Sequence, residues 1–187
     1  MPLAVTAPLA LVCHPDAPDA AVRAISVLPV REPDGSLTLD YTLSGDLAAL
    51  RIPDAATGLP RERLWAHTCF ELFVATPETA AYREFNFSPD GQWMRFDFAD
   101  YRQRAASADP ATASVPPLVV RRDEAVLQLT VRLPVEHLPA GEPLLGLTAV
   151  VEHADGSLRY WALRHPPGRP DFHRREGFAF ALKASNP

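Results

Sequence analysis

The stretch "TCFELFVATPETAAYREFNFSPDGQWMRFDF", Thr68 to Phe98, decides how this chain is read. It divides into three strand-like runs, His67–Ala75, Ala81–Ser88 and Gln92–Phe98, joined through "TPETA" and "SPDGQ". The second joint carries Pro and Asp-Gly where a tight turn needs them. Successive side chains of a strand point to opposite faces, so each run can be sorted by parity. In the first, Thr68, Phe70, Leu72 and Val74 share one face. His67, Cys69, Glu71 and Phe73 share the other, and Trp65 continues that parity. In the second, Phe85 and Phe87 are expected to point inward, opposite Tyr82, Glu84, Asn86 and Ser88. In the third, Met94, Phe96 and Phe98 are expected inward, opposite Trp93, Arg95 and Asp97.

The same grammar extends both ways along the chain. Leu9–His14 reads as a first strand, and Ala24–Gly45 as a hairpin through Asp34-Gly35. Pro29 places the first arm of that hairpin at an edge or a bulge. Ser44–Arg63 has no clear period and reads as a long loop with a helical turn at Asp46–Leu50; loops of that length in compact domains are often functional. Ala99–Pro117 reads as an irregular connection. Leu118–Pro134 and Leu144–His165 read as further hairpins, turning near Asp123-Glu124 and at Asp155-Gly156. Pro166–His173 is a loop and Gly177–Leu182 a last strand. About ten short strands with turn signals at roughly 8–12-residue spacing describe an all-β, antiparallel sandwich or barrel. No helical pattern separates the strands, which argues against a parallel α/β sheet.

The totals agree with one domain over residues 1–187. The composition, 47% hydrophobic and 22% charged, is that of an ordinary globular protein, and 20 prolines disfavour long helices. A formal net charge of −5 gives no basic footprint for nucleic acid. Two cysteines, Cys13 and Cys69, form neither a metal-type pair nor a disulfide framework. "LALVC" (Leu9–Cys13) faintly resembles a lipoprotein cleavage site, but Val12 is too large and no basic segment precedes it. No run approaches the ~20 apolar residues of a membrane span. A cytoplasmic protein is the expectation, with no membrane contact.

One sheet face thus collects carboxylates, an amide and tryptophans, and contains no lysine. The late hairpin adds Arg159, Trp161 and His165 on one parity. Rings offer flat apolar platforms, and carboxylates and amides offer directional hydrogen bonds. A sugar uses both. The competing reading folds Ser44–Arg63 over this face, making Trp65, Trp93 and Trp161 a second small core and Glu84–Arg95 a cross-strand ion pair.

"LWAHTCFELFVATPETAAYREFNFSPDGQW" (Leu64–Trp93), "FADYR" (Phe98–Arg102) and "YWALRHPPGRPDFH" (Tyr160–His173) resemble the bacterial DOMON-like proteins, which are similar to family 9 carbohydrate-binding modules. The resemblance covers about Leu64 to Leu182 and implies a β-sandwich of jelly-roll type that binds sugars or haem in a pocket. It implies Trp93 and Trp161, then Trp65, as the rings that clamp a sugar, with Glu84, Asn86 and Gln92 at the rim. Glu71, Tyr82, Arg164, His165, Asp171 and His173 complete the candidate ligand-binding set; Asp171 and His173 are read either as turn-capping residues or as the pocket mouth. No dense Asp cluster accompanies these residues, so calcium is not expected, and no cofactor is assigned.

The leading expectation is a non-catalytic module for a sugar or sugar-derived small molecule. Three alternatives stand beside it. Haem ligation would use Met94 with His153 or His165. A sugar-active enzyme would use Glu71 and Glu84 as an acid–base pair on adjacent strands. An exposed aromatic face would serve a protein partner. A zinc site from His67, Glu71 and His173 is conceivable, although no spacing demands it. Oligomeric state is left open.

Overall fold

The computed structural model describes residues 7–105 and 116–183. Among the described residues twelve strands make an antiparallel β-sandwich: β1 (Leu9–Cys13), β2 (Val22–Arg31), β3 (Leu37–Gly45), β4 (Cys69–Ala75), β5 (Tyr82–Phe87), β6 (Trp93–Asp100), β7 (Gln103–Arg104), β8 (Leu118–Arg122), β9 (Val126–Leu133), β10 (Leu144–Glu152), β11 (Leu158–Ala162) and β12 (Phe180–Ala181). The back sheet runs β1-β2-β3-β9-β8 and the front sheet β7-β6-β5-β4-β10-β11-β1. Strand β1 belongs to both. Its Leu9, Ala10 and Leu11 pair with β2, and its Val12 and Cys13 with β11. The short β12 pairs with Leu144 and Leu145 of β10, beyond the end of β11. Among the described residues no helix is long and apolar enough to cross a membrane.

The back sheet alternates as a sheet with one wet face should. In β3, Leu37, Leu39, Tyr41 and Leu43 are buried, while Thr38, Asp40, Thr42 and Ser44 are half-buried. Leu127, Leu129, Val131 and Leu133 of β9 repeat the pattern. Pro29 faces Leu39 on β3, and β1 covers only Ile25–Val27 of β2, so the proline lies at a locally open edge.

The front sheet is different. All seven residues of β4 are buried, and so are eight of the nine in β10. One parity, Phe70, Leu72 and Val74 with Leu145, Leu147, Ala149 and Val151, fills the space between the sheets. Tyr41 crosses that space to stack on Phe70 at 4.8 Å, and its hydroxyl donates to the Glu71 carbonyl at 2.8 Å. The other parity is roofed by chain from outside the sheets. Phe178 lies over Phe73 at 5.6 Å, and a second apolar cluster forms from Phe73, Ala75, Tyr82, Phe96, Phe98 and Phe178. Gly146 makes room for it: a Cβ there would stand 2.7 Å from the Phe178 ring.

The third run of the opening stretch has the parity opposite to the one expected from its sequence. The turn Ser88–Gln92 closes with Gly91 at φ 87° and sets Phe87 opposite Trp93. Paired residues project to the same side, so Trp93 follows Phe87 into the inter-sheet core, where it is 5% exposed. Met94, Phe96 and Phe98 instead face outward with Asn86, Glu84 and Tyr82. Phe96 and Phe98 resemble core residues because they are core residues, but of the outer cluster. Arg95 and Asp97 lie on the sandwich side near its end, where Arg95 Nη2 meets Asp97 Oδ2 at 2.7 Å and Arg83 Nη1 donates to the His137 carbonyl at 2.6 Å. Trp161 is corrected likewise. It pairs with Ala149, is 7% exposed, and packs in the main core with its indole N–H donating to Asp19 at 3.3 Å. A second cluster on the outer face thus exists, but none of its rings is a tryptophan.

Other boundaries shift modestly. Of the expected loop Ser44–Arg63, Ser44 and Gly45 belong to β3; the connection begins at Asp46 and runs to β4, with helical turns at Leu47–Ala49 and Arg61–Ala66, the second of which places Trp65 outside β4. Strand β6 continues to Asp100 and returns through β7, which the sequence reading absorbed into the irregular connection Ala99–Pro117. Positions 106–115 of that connection lie outside the described residues.

Trp93 packs edge-to-face on His137 at 5.6 Å and shares the main core with Phe85 and Phe87. Trp93→Ala is therefore expected to lower unfolding stability by about 3–5 kcal/mol in urea titration. A change below ~1 kcal/mol would contradict its burial.

Candidate functional site

The outer face of the front sheet holds a pocket of about 400 Å³. Strands β4 and β5 supply its floor, Glu71 and Glu84, and β6 supplies Phe96 and Phe98. Tyr160 of β11 projects opposite to its neighbour Trp161 and so reaches the outer face. The loop 170–173 closes one side with Asp171, Phe172 and His173, and the helical turn Arg61–Ala66 brings Trp65 to the rim. A wider groove of about 1210 Å³ adjoins it, sharing Arg102, Tyr160, Pro170, Asp171 and His173 and reaching Tyr82 and Arg175.

The floor is a buried polar network. Glu71 is 3% exposed and accepts from Thr148 Oγ1 at 3.1 Å and from the Cys69 thiol at 3.5 Å. Glu84 accepts from Asn86 Nδ2 at 2.7 Å, and Asn86 Oδ1 in turn lies 3.8 Å from the Cys69 sulfur. Glu71 stands opposite Asn86 and Glu84 opposite Phe73, so the two residues are diagonal neighbours on adjacent strands, their backbones roughly 7–8 Å apart. Burial, and then the charge of Glu84, raises the Glu71 carboxyl from its ordinary 4.5 to about 8. Glu84 is raised too, by burial, against the hydrogen bond from Asn86 and the pull of Arg104 and Arg102. The Cys69 thiol is pushed well up by burial and by Glu71, so it remains a neutral donor.

His173 sits between floor and rim. Tyr82 OH accepts from the Arg102 backbone N–H at 3.1 Å and lies 2.8 Å from His173 Nδ1. The tautomer with the ring hydrogen on Nε2, facing Glu84 Oε2 at 3.7 Å, lets the Tyr82 hydroxyl donate to Nδ1 and suits all three groups. Burial, then Arg102, holds the imidazole down to about 4. The contact with Glu84 is accordingly polar rather than an ion pair near neutral pH. Asp171 anchors the rim: it accepts from Arg102 Nη2 at 2.8 Å, from Tyr101 OH at 2.5 Å and from the His173 backbone N–H at 3.1 Å. Burial pushes its carboxyl up, but the bonds from Tyr101 and Arg102 outweigh that and hold it below the usual range.

The structure brings together Trp65, Glu71, Glu84, Asp171 and His173 around the pocket, with Asn86 directly beneath and Tyr82 in the adjoining groove. It separates the rest. Trp93 and Trp161 fill the inter-sheet core. Gln92 is a turn residue whose amide donates to Leu59 O at 3.1 Å and Asp90 at 2.8 Å. His165 donates to Val12 O at 2.8 Å and packs on His14, while Arg164 is exposed; neither lines the two cavities. His67 turns to Glu152 at 2.8 Å, away from Glu71 and His173. Among the described residues no group of three or more metal-ligating side chains converges. Met94 packs at the outer cluster, His153 is held by Asp19 at 3.1 Å and His165 by Val12, so these three do not assemble into one axial pair. Arg102, Arg104, Tyr160, Phe172 and the Phe96–Phe98 pair were missed as site residues; the parity of Tyr160 against Trp161 was the readable signal.

No protein-family model matches this sequence, and no curated protein matches it. Solved structures do. A proposed carbohydrate-binding protein from Bacteroides uniformis superposes with a TM-score of 0.66 at 16% identity, over 94% of this chain and 85% of that one. A family 9 carbohydrate-binding module from Caldicellulosiruptor kristjanssonii, in complex with cellotriose, gives 0.64 at 7% identity over 95% and 81%. The glucose complex of a family 9 module from the same organism gives 0.60 at 7% identity over 92% and 81%. At these identities the likeness establishes the fold.

The buried groups make stability depend on pH in two opposed ways. The folded Glu71 carboxyl titrates above its ordinary 4.5, so its contribution is full below pH 4.5 and is lost as pH rises to about 8. His173 titrates below its ordinary 6.5, so its contribution is full above pH 6.5 and is lost as pH falls to about 4. Glu71→Gln removes only the first window. Its melting temperature is expected to gain on the native protein steadily from about pH 5 to 8, with a residual slope from Glu84. A difference that stays constant over that range would show that Glu71 is not dehydrated.

Proposed function

We propose that this chain is a non-catalytic binding module for a sugar or sugar-derived small molecule, held in the pocket on the outer face of the front sheet. The observation that carries this reading is the composition of that pocket: aromatic walls around a floor of dehydrated carboxyls. Its volume, about 400 Å³, lies within the ~300–1,000 Å³ of small-ligand sites. Glu71 supplies a hydroxyl donor near neutral pH, while Glu84 and Asp171 supply acceptors and His173 Nε2 a further donor. Sugar hydroxyls require that mixture. Trp65 is the platform. Its indole N–H is tied to Glu62 O at 3.1 Å, which fixes the ring while leaving the residue 45% exposed. The sugar-bound family 9 modules share the fold and support the same reading. The DOMON-like relationship suggested by the sequence motifs belongs to this proposal.

One observation favours a second reading, hydrolysis of a sugar derivative. Glu71 remains protonated near neutral pH beside Glu84 on the next strand, the pairing that acid–base chemistry on a glycosidic bond uses. Release of nitrophenol from nitrophenyl glycosides, lost in Glu84→Gln, would replace the binding module with an enzyme.

Ligand at 100 times its dissociation constant stabilises a fold by ~2.7 kcal/mol, which for this length is a melting shift of roughly 5–10 °C. A screen of neutral and derivatised monosaccharides and disaccharides should yield such a shift. Trp65→Ala, at a half-exposed rim position, is expected to fold normally and weaken binding at least roughly tenfold. Full affinity in that variant would remove this pocket as the site.

A further inference from the structure

The pocket carries a guanidinium with no acid in direct contact among the described residues. Arg102 and Arg104 both line it, from the tight β6–β7 hairpin in which Arg102 takes φ 53° and Arg104 stands opposite Phe98. The two guanidinium groups have different surroundings. Arg102 is paired with Asp171 at 2.8 Å and touches Tyr101 OH through Nε at 3.3 Å. Arg104 Cζ lies over the Phe96 ring, 4.0 Å from its centroid, and the side chain has no hydrogen bond or ion pair among the described residues. The contact with the ring holds the guanidinium at the pocket while its N–H donors are left for a ligand, and arginine recognises planar or tetrahedral anions through such donors.

The acids nearby are committed elsewhere. Asp171 serves Arg102 and Tyr101. Glu84 is bound to Asn86 and forms no ion pair with Arg104, and Glu71 lies deeper, against Thr148 and Cys69. His173 adds no charge near neutral pH. Arg104 therefore offers the pocket a guanidinium that none of its acids contacts, in a chain whose overall net charge is −5.

Building on the sugar-binding reading, we infer that the ligand is an acidic sugar whose carboxylate or phosphate group docks on Arg104 while its ring packs against the aromatic wall. The neutral hydroxyls then face the Glu71–Glu84 floor. A neutral sugar would leave the Arg104 edge to water, and an anionic one would exchange that water for a charge-assisted bond.

The test compares matched pairs by titration calorimetry: glucose with glucuronate, galactose with galacturonate, and glucose with glucose 6-phosphate. At least one acidic member should bind roughly tenfold or more tightly than its neutral parent. A uronate preference identifies a carboxylate ligand and a preference confined to glucose 6-phosphate a phosphoryl one; both support the inference. Arg104→Gln should erase the preference, and Arg104→Lys should keep part of it. Equal binding within every pair, or a preference that survives Arg104→Gln, would overturn the inference and leave sugar binding standing. Failure of every sugar, acidic and neutral, to bind the native protein would overturn both.

Discussion

Everything distinctive in this molecule follows from covering both faces of one antiparallel sheet. Such sheets commonly keep one face in water, and the back sheet does. The front sheet cannot, because Phe73, Phe96 and Phe98 stand on its outer face and must be buried. Phe178, Phe172 and His173 fold over them from the segment after β11, and Trp65 closes in from the other side. The roof that shelters the rings also dries the carboxyls between them. Glu71 and Glu84 owe their raised titration to that shelter, and the hydrogen bonds from Thr148, Cys69 and Asn86 keep the burial affordable.

The architecture was legible because turn chemistry and strand period are local. Asp34-Gly35, Asp90-Gly91 and Asp155-Gly156 mark hairpins wherever they occur, and the alternation in β3 and β9 has only one interpretation. Parity was legible for β4 and β5, where Glu71, Glu84 and Asn86 share a face with Tyr82. It failed on β6, for a physical reason. The rule that aromatic residues face the core presumes one core, and here there are two, on opposite sides of the same strand. Trp93 and Phe96 both obey the rule, each toward a different cluster. Arg95 and Asp97, which seemed to mark the wet side, satisfy one another and Arg83 at the end of the sandwich.

The rings that do line the pocket were harder to read. Tyr160 is adjacent to Trp161, and the larger ring drew the assignment although the alternation hands the outer face to the smaller. Arg104 gives no sequence signal at all, because its position depends on a two-residue return strand following a residue in the left-handed region. Likeness to solved structures at 7–16% identity likewise extends to the fold alone.

The strand that joins the two sheets has a consequence for the making of the protein. Val12 pairs with Ala162, so the seam spans 162 − 12 = 150 positions of sequence. At ~5–20 residues per second, a ribosome takes roughly 8–30 s to deliver the second partner after the first. For much of that interval the early hairpin of β2 and β3 exists without β9, and the β3 edge and the leucine-rich face are open to the solvent. The back sheet is complete in sequence only at Leu133, and its seam to the front sheet only at Ala162. The nascent chain must survive that wait unaggregated, and Pro29, together with the polar alternate face of β3, is the protection it carries.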